Sequence, residues 1–451
     1  MALDKSSWYK PRNYLHFDSP ISQDQAYSLV TSPGNIVKHS FYPFLFYKLS
    51  APKLKKSKNG KLERSVKERG ISYASHKDSH IFSYYAYILN EKYESLLRKD
   101  RKYQKLFDSI LAFRQLGKSN IDFAKFAFDM VHEKVHKYEE CTVLALDITS
   151  FFDHLDHDIL KKMWSIVLGE PKLPDHHYAV FRAITRFSRV DREEVFNFFN
   201  ISANNPRKDK RNRICSPIEF RKFRKFRKSR KYTLFNNFPA FFINKDKKGI
   251  PQGSPISALL SNIYMLDFDL KIHEKVTKMN GIYLRYCDDI LCIIPSKDVD
   301  EIYKYIREEI HNQLKLTINE SKTEIIYFSY NKRKNKIVND KYLQYLGFIL
   351  HNGSISIRSA AFCRYSNKMK RGVDLAKQTQ RKYNLIRDKK GIKNKKLYKK
   401  KLYSRYSHFG KCNFISYGKR ASEKMSSIKI AKQLKPLWLR LRKEIHNTPD
   451  S

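Results

Sequence analysis

Three aspartates follow or interrupt short apolar runs in this 451-residue chain. Asp147 comes directly after residues 142–146, a run that is too short for a helix and typical of a buried strand. Asp288 and Asp289 separate two further apolar runs at the spacing of a β-hairpin. If these strands are neighbours in one sheet, the carboxylates meet and can bind two divalent ions for phosphoryl transfer to a hydroxyl. An Asp-Asp turn alone is a weak indication, because such pairs are common in ordinary hairpins.

The elements that must position these aspartates follow from the spacing of the apolar residues. Residues 282–287 and 290–294 are the two predicted hairpin strands. Apolar residues recur every three or four positions over 81–97 and over 121–135, with Asn120 placed as the N-cap of the second run. The sequence therefore predicts two amphipathic helices beside the strands that carry the carboxylates.

Positive charge is the dominant feature of the composition. The chain has 90 Lys and Arg against 45 Asp and Glu, a formal net charge of +45, and 41% of its residues are hydrophobic. A chain of this length and apolar content can build a sizeable core, so a globular fold is expected. An excess of this size attracts a polyanion strongly, and nucleic acid is the first partner to consider.

Two basic segments are candidate RNA-binding regions. Residues 221–228 repeat a triplet of two cations and one aromatic residue. This pattern indicates either a surface that follows phosphates and stacks on bases, or a solvated basic loop, and both interpretations stay open. The second segment is predicted to be a basic helical module near the C-terminus. The candidate RNA-binding residues are Arg221, Lys222, Arg224 and Lys225 in the first segment, and Lys395, Lys396, Lys399 and Lys400 in the second.

The cysteines and the hydropathy pattern favour a cytoplasmic protein with no membrane contact. The six cysteines show no CxxC spacing, which argues against a zinc site or a disulfide framework and predicts buried, reduced thiols. The sequence also lacks a signal-peptide pattern and any stretch near 18 uninterrupted apolar residues. The cysteines are Cys141, Cys215, Cys287, Cys292, Cys363 and Cys412.

Several motifs resemble those of reverse transcriptases. Tyr-Cys-Asp-Asp at 286–289 resembles the Tyr-x-Asp-Asp box, and Asp-Ile-Thr-Ser-Phe-Phe-Asp at 147–153 resembles the upstream palm motif of retron and group II intron enzymes. Gly-Ile-Pro-Gln-Gly-Ser-Pro-Ile-Ser at 249–257 resembles the loop that holds template and nucleotide. Further blocks follow in the family's order at 109–119, 316–323 and 345–348, so that the resemblance extends roughly from Arg64 to Phe348.

The resemblance implies an α+β right-hand polymerase fold. Such a fold has fingers, a palm in which an antiparallel sheet packs on helices, and here a helical basic thumb. The expected division is an N-terminal extension over 1–63, fingers over 64–140, a palm over 141–350 with a basic insertion around 205–235, and an α-helical thumb or RNA-binding region over 351–451.

The resemblance also assigns roles at the metal site. Asp147 and Asp288 are expected to bind the metals, with the backbone carbonyl of Ile148 as a further ligand and Asp289 assisting. The implied cofactors are two Mg²⁺ ions, for which Mn²⁺ can substitute. A catalytic thiol at Cys287 is not expected, since it occupies the variable position of the box.

Further residues are implied to contact substrates. Phe152 takes the place of an aromatic residue that blocks a ribose 2′-hydroxyl, which implies dNTP substrates. It also separates the chain from RNA-dependent RNA polymerases, which commonly carry an acidic residue there and Gly-Asp-Asp in the turn. The other implied contacts with template, primer or dNTP are Gln252, Gly253, Tyr286, Lys322, Lys67 and Arg69.

The motifs and the compact plan are similar to bacterial stand-alone, defence-associated reverse transcriptases. That similarity implies anti-phage defence, a structured noncoding RNA as template, dNTP substrates and a DNA product; oligomeric state stays open. The chain shows no Cys/His cluster of an HNH endonuclease and has no room for integrase, protease or RNase H domains. A retron-type or group II-like reverse transcriptase is the alternative, although the Val-Thr-Gly signature of retron thumbs is missing. An RNA-binding scaffold with secondary polymerase activity is the alternative of another class.

Overall fold

The computed structural model describes the backbone of residues 5–56, 62–226 and 241–447. The last two residues of the basic triplet stretch 221–228 lie outside the described residues, and so does the end of the predicted insertion 205–235.

The described residues form helices and strands in a mixed order. The helices are α1 (Lys5–Trp8), α2 (Gln23–Val30), α3 (Pro33–Lys38), α4 (His76–Lys99), α5 (Asn120–Tyr138), α6 (Phe151–His154), α7 (His157–Leu168), α8 (Asp175–Thr185), α9 (Arg192–Phe198), α10 (Pro217–Phe226), α11 (Ser257–Lys278), α12 (Val299–Asn312), α13 (Ser359–Asp388), α14 (Lys400–Tyr406), α15 (Phe414–Lys424), α16 (Ile428–Leu434) and α17 (Pro436–His446). The strands are β1 (Phe44–Lys56), β2 (Leu62–Tyr73), β3 (Glu140–Asp147), β4 (Ser188–Asp191), β5 (Phe241–Ile243), β6 (Ile282–Tyr286), β7 (Asp289–Ile294), β8 (Glu324–Asn331), β9 (Lys336–Asn339), β10 (Leu343–Tyr345), β11 (Phe348–His351) and β12 (Ser354–Ile357).

Five antiparallel strands in the order β6–β7–β3–β8–β9 form the palm sheet. Side chains alternate across a strand, so Leu144 and Leu146 of β3 pack into one core with α11, while Val143 packs into a second core with α5. The sheet is therefore buried on both faces, which explains why its strands appear in the sequence as continuous apolar runs.

The predicted helices and strands near the aspartates are confirmed. α4 and α5 contain the two periodic segments, and β3, β6 and β7 contain the three apolar runs. The predicted N-cap at Asn120 is wrong by one residue. Ser119 caps α5 instead, since its backbone amide and hydroxyl both donate hydrogen bonds to the Asp122 carboxylate. Asn120 is already the first helical residue.

A second sheet, called the fingers sheet below, has the order β2–β1–β4–β5. Its long hairpin of β1 and β2 pairs Leu45 with Tyr73 and continues beyond the expected domain boundary at residue 63, so the hairpin lies on both sides of that boundary. β4 pairs in parallel with β1, and β5 pairs with β4. Two strands from the range expected to be palm therefore belong to the fingers sheet.

The basic insertion packs on the fingers sheet through a third hydrophobic core. Phe220 and Phe223 of α10 lie in that core with Leu15 and Phe17 of the N-terminal segment, and Phe223 is only 1% exposed. The ring centroids of Phe17 and Phe220 are 4.7 Å apart. The base-stacking interpretation of the triplet is therefore wrong for Phe223, and the loop interpretation is wrong for residues 221–226, which are helical.

The C-terminal region is mainly helical, from α13 to α17, as predicted, with two departures. β12 lies inside the range expected to be α-helical and pairs with β11. Residues 391–399 are not helical; the side chains of Asn384 and Gln380 on α13 bind the backbone of Lys395 and hold this segment against the helix. The α-helical prediction is therefore wrong for Lys395 and Lys396.

The cysteines are free thiols, and four of them are buried. The prediction of burial is wrong for Cys363 and Cys412, which are exposed. None of the helices in the described ranges combines the length and the hydropathy that crossing a bilayer requires.

Candidate active site

Strand pairing brings the predicted carboxylates together. In the register of β3 and β7, Asp147 lies directly opposite Asp289. Because directly opposed residues project from the same face, both side chains emerge on one side of the sheet end. The hairpin turn consists of Cys287 and Asp288, since Asp289 already pairs with Tyr286 as the first residue of β7. The prediction of an Asp288-Asp289 turn is therefore wrong by one residue, and only Asp288 lies in the turn.

The hairpin turn has an unusual backbone conformation at Cys287, the residue before Asp288. Cys287 has a φ of 61°, in the left-handed region that residues with a side chain rarely adopt. Two-residue hairpin turns need such a conformation, because it matches the twist of the flanking strands. Burial, reinforced by the charge of Asp288, raises the pKa of the Cys287 thiol well above its usual range. The thiol therefore stays protonated, in agreement with the expectation that Cys287 is not catalytic.

Like charges crowd this end of the sheet. Desolvation, together with the charges of Asp288 and Asp147, raises the pKa of Asp289 to about 6, although Lys322 and Lys67 act in the opposite direction. The ammonium group of Lys322 contacts the Asp147 carboxylate directly. The structure therefore brings five of the predicted site residues into electrostatic contact, and two of them are cations from different segments.

The carboxylates fit divalent cations that are shared with a substrate. Within the described ranges, no group of three or more His, Cys, Asp and Glu side chains is arranged so that it could hold a metal by itself. Magnesium needs fewer, since it commonly takes one or two carboxylates and completes its shell with water and phosphate oxygens. The raised pKa of Asp289 indicates a negative field that a bound cation would relieve.

The backbone around Ile148 leaves one carbonyl directed toward the hairpin turn. Ile148 forms an isolated antiparallel bridge with Ile318, in which the Asp147 carbonyl accepts from Asn319 at 2.7 Å and the Thr149 amide donates to Thr317 at 2.9 Å. Carbonyls alternate in direction along an extended chain, so the Ile148 carbonyl points to the opposite side. That orientation is compatible with its expected role as a metal ligand.

The loop at 249–253 joins the fingers hairpin to the palm. The carbonyl of Gln252 accepts a hydrogen bond of 2.8 Å from the amide of Ser72. Gly253 has a φ of 114°, and a Cβ placed on it would lie 2.7 Å from the Ser72 carbonyl oxygen and 3.0 Å from Ile71. Only glycine fits this close backbone approach. Residues 252 and 253 therefore lie at the contact between the fingers hairpin and the palm.

Gly253→Ala should weaken the contact between fingers and palm. The added methyl group meets a backbone carbonyl, and its φ is unfavourable for alanine, so we expect a loss of about 1–3 kcal/mol in the free energy of unfolding and a raised KM for dNTP. Urea unfolding and steady-state incorporation measure the two effects. Gly353→Ala is the matched control, because Gly353 also has a positive φ of 71° but nothing within 4 Å of the added Cβ. An unchanged KM in Gly253→Ala would contradict the assignment.

The basic residues of β2 lie on the face of the hairpin that meets the loop. Lys67, Arg69 and Ile71 alternate with residues of the other face, so all three project to the same side of β2. Ile71 touches the position of the Gly253 Cβ, and Lys67 acts electrostatically on Asp289. Arg69 is exposed between them. The strand thus directs two cations toward the carboxylates.

Phe152 is anchored to the same loop. It lies in the short helix α6, half-buried, with its ring centroid 5.6 Å from that of Phe151. The backbone carbonyl of Phe152 accepts a hydrogen bond of 2.9 Å from the amide of Ile250. A Cβ on Gly249 would lie 2.8 Å from the Asp153 carbonyl oxygen, so glycine is required there too. The motif after Asp147 and the loop at 249–253 therefore form one unit.

Tyr286 is held by α5. Its hydroxyl donates to the side chain of Asn120 at 3.1 Å, and its ring centroid is 6.2 Å from that of Phe123. Tyr286 therefore lies beside the carboxylates, on the face of the palm sheet that also carries Asp289. The candidate RNA-binding residues Lys395, Lys396, Lys399 and Lys400 are not part of this cluster. They lie on the exposed segment between α13 and α14 and at the start of α14.

Arg285 is a site residue that the sequence analysis missed. Its side chain is fully buried and makes a bidentate ion pair with Asp269 of α11, at 2.7 and 2.6 Å. It also donates to the side chain of Asn262 at 3.1 Å and to the carbonyl of Cys287 at 2.9 Å. Arg285 thus holds the backbone of the turn that carries Asp288. A charged residue inside an apolar strand was the only available signal, since burial of a charge requires a partner.

Residues 197–350, about a third of the chain, match the profile of the family described as reverse transcriptase (RNA-dependent DNA polymerase). The matched range includes the loop residues Gln252 and Gly253 and the turn residue Asp288, but it begins after Asp147. No curated protein matches the chain.

Solved telomerase structures from yeasts are similar at low identity. The apo telomerase of Candida tropicalis, truncated from its C-terminal domain, has 12% identity and a TM-score of 0.40, over 75% of this chain and 60% of that one. Telomerase from Candida albicans in complex with a TWJ fragment of telomeric RNA has 13% identity and a TM-score of 0.38, over 94% of this chain and 65% of that one. The chain thus spans less than two thirds of the length of these relatives.

The mixed helix-and-sheet architecture confirms the predicted α+β class and is consistent with a right-hand polymerase fold. The family match implies a general dependence on divalent metal ions. Residues 197–350 therefore match a domain of the family described as reverse transcriptase (RNA-dependent DNA polymerase).

Proposed function

We propose that this protein copies an RNA template into DNA with two Mg²⁺ ions, for which Mn²⁺ can substitute, held by Asp147, Asp288 and Asp289. The observation that carries this proposal is the pairing of β3 with β7, which sets Asp147 opposite Asp289 next to the Asp288 turn. When bound, the ions lower the barrier to attack of a 3′-hydroxyl on the α-phosphate and stabilise the leaving pyrophosphate.

The protein's own residues bind and orient the substrates. Lys67 and Arg69, which share one face of β2, neutralise the triphosphate, and Lys322, which contacts Asp147, would bind a phosphate oxygen if that carboxylate held a metal ion. Gln252 and Gly253 contact the nascent base pair from the loop that binds Ser72. Tyr286, held by α5, supports the sugar at the primer end.

Phe152→Ala should relax the selection of the sugar. The half-buried ring beside the loop at 249–253 would no longer exclude a 2′-hydroxyl, so we expect the preference for dNTP over rNTP to fall by about tenfold or more. Single-nucleotide incorporation with each substrate measures this ratio. Phe126→Ala is a suitable control, because Phe126 is a 37% exposed phenylalanine on α5. An unchanged ratio in Phe152→Ala would remove Phe152 from the nucleotide site.

We further propose that the template is a structured noncoding partner RNA and that the protein serves in anti-phage defence in the cytoplasm. The charge of +45 supports a stably bound RNA, because each neutralised phosphate releases counterions. The motifs in their family order support the comparison with stand-alone defence enzymes. Retron-type or group II-like copying is the second candidate, and it also uses a partner RNA.

The test is sequencing of the RNA and cDNA that co-purify with the protein from its host, compared with the Asp288→Ala/Asp289→Ala variant. We expect one short RNA and its complementary DNA with the native protein, and loss of the DNA alone in the variant. Heterogeneous RNA and cDNA that does not depend on the aspartates would overturn the partner-RNA proposal.

Phage protection distinguishes a scaffold role from an enzymatic role. If the protein is an RNA-binding scaffold with secondary polymerase activity, phage protection should survive in the double alanine variant. If synthesis is the function, protection should be lost while the variant still binds its RNA. The intact set of aspartates together with Phe152 and the glycine loop supports the enzymatic role.

A further inference from the structure

The insertion in the fingers carries a dense, outward-facing set of cations, called the basic insertion surface below. Its members share exposure to solvent and lie between residue 207 and the end of the described part of α10. They are Arg207, Lys208, Lys210, Arg211, Arg213, Arg221, Lys222, Arg224 and Lys225.

Ion pairs that would neutralise these cations are missing among the described side chains. The nearby Glu219 is engaged at the helix start, where it accepts from the Ser216 amide at 2.7 Å. Lysines on the outer helices of the palm differ in this respect. Lys271 lies 2.9 Å from Glu309, and Lys275 lies 2.5 Å from Glu301. These cations are therefore available to an anionic partner.

The basic insertion surface lies on a well-packed part of the protein. Phe220 and Phe223 pack into the third core beneath the cations of α10. The amide of Ile214 donates to the carbonyl of His16 at 2.8 Å, which ties the preceding segment to the N-terminal region. The guanidinium of Arg211 donates to the Ile214 carbonyl at 3.2 Å. The cations thus project from a packed module in which the rings of Phe220 and Phe223 are buried, so the described part of the surface offers mainly phosphate contacts.

The position of the basic insertion indicates which nucleic-acid strand it contacts. It packs on the fingers sheet, whose β2 reaches the catalytic loop through Ser72 and the carboxylates through Lys67. If the nucleotide lies between Phe152 and β2, as the proposed function requires, the unpaired template is continuous with it on the fingers side.

We propose that the basic insertion surface binds the phosphates of the unpaired template RNA before it reaches the carboxylates. This inference rests on the proposed function, and it adds a template-holding surface outside the catalytic residues. Contact with phosphates alone makes the binding independent of sequence and strongly dependent on salt.

The test compares template overhangs of different length. Primer–template duplexes with an unpaired 5′ RNA overhang of about 3 or about 25 nucleotides are bound to the full chain in Mg²⁺, and the variant is R221Q/K222Q/R224Q/K225Q. Because this variant lacks four phosphate-binding cations, we expect the Kd for the long overhang to rise by about 100-fold at physiological salt and its salt slope to fall by about 3. The Kd for the short overhang and kcat on it should be unchanged.

Two further variants make the result specific. The palm control, K102Q/K105Q/K271Q/K275Q, removes the same charge from lysines that form ion pairs on or with the palm helix α11, and it should leave the overhang dependence intact. The charge-conserving variant R221K/R224K should bind the long overhang like the native protein, which also shows that the module still folds.

Three results would overturn the inference. They are an equal loss of affinity for both overhangs, a loss of the same size in the palm control, and no loss at all, which would favour an acidic protein as the partner of this surface. Failure of DNA synthesis would contradict the proposed function. It would not affect this test, because the Kd for the overhangs is measured without turnover.

Discussion

Replacement of Asp288 by Asn is expected to lower dNTP incorporation by about 10³-fold or more. The substitution keeps the size of the side chain but removes a charge from the turn between β6 and β7, where the cations are proposed to bind. Metal ions supply several kcal/mol of stabilisation to the charge of the transition state, and each 1.36 kcal/mol corresponds to about tenfold in rate. Primer extension on an RNA template under single-turnover conditions measures the loss.

Binding of RNA should be unaffected by the same change. Since the variant loses one negative charge from an already crowded group, its free energy of unfolding should stay equal or rise slightly. Asp300→Asn is the control, because Asp300 is an exposed residue in the first turn of α12. A variant at Asp288 that retained a tenth or more of native incorporation would show that the metals are held elsewhere.

Replacement of Arg285 by Met is expected to give the largest loss of stability of any single change proposed for the palm. It leaves the Asp269 carboxylate buried without its bidentate partner, and removal of one member of a buried ion pair typically costs about 3–5 kcal/mol. Urea unfolding followed by circular dichroism measures the loss. Lys271→Met should cost about 1 kcal/mol or less, because its pair with Glu309 is near the surface.

The double variant Arg285→Met/Asp269→Leu separates stability from positioning. Apolar replacement of both partners often restores most of the stability lost in the single variant. The carbonyl of Cys287 would still lack the donor that fixes the turn. We therefore expect near-native unfolding but a raised Mg²⁺ concentration for half-maximal incorporation. Native metal dependence in the double variant would make Arg285 a purely structural residue.

Local pattern was sufficient for the elements that carry the site. The apolar run before Asp147 and the two runs around the aspartate pair became β3, β6 and β7, because a sheet buried on both faces leaves continuous apolar segments in the sequence. The errors at Asn120 and in the turn are shifts of one residue, since the residues that end an element depend on the local hydrogen bonds.

Tertiary packing decided what local pattern left open. The triplet at 221–228 was compatible with a loop or with a stacking surface, and only the third core shows that Phe223 is buried while Arg221 and Lys222 stay exposed. The parallel pairing of β4 with β1 joins segments more than a hundred residues apart, for which neither strand carries a local signal.

The sequence by itself determined the chemistry, and the structure decided how it is assembled. The types and spacing of Asp147, Asp288 and Asp289 predicted carboxylates at strand ends, because apolar periodicity and turn length are local properties. The contact of Lys322 with Asp147 and the support of the turn by Arg285 depend on distant segments that meet only after the palm sheet and α11 have packed. Such contacts depend on long-range packing, which a local sequence pattern cannot predict.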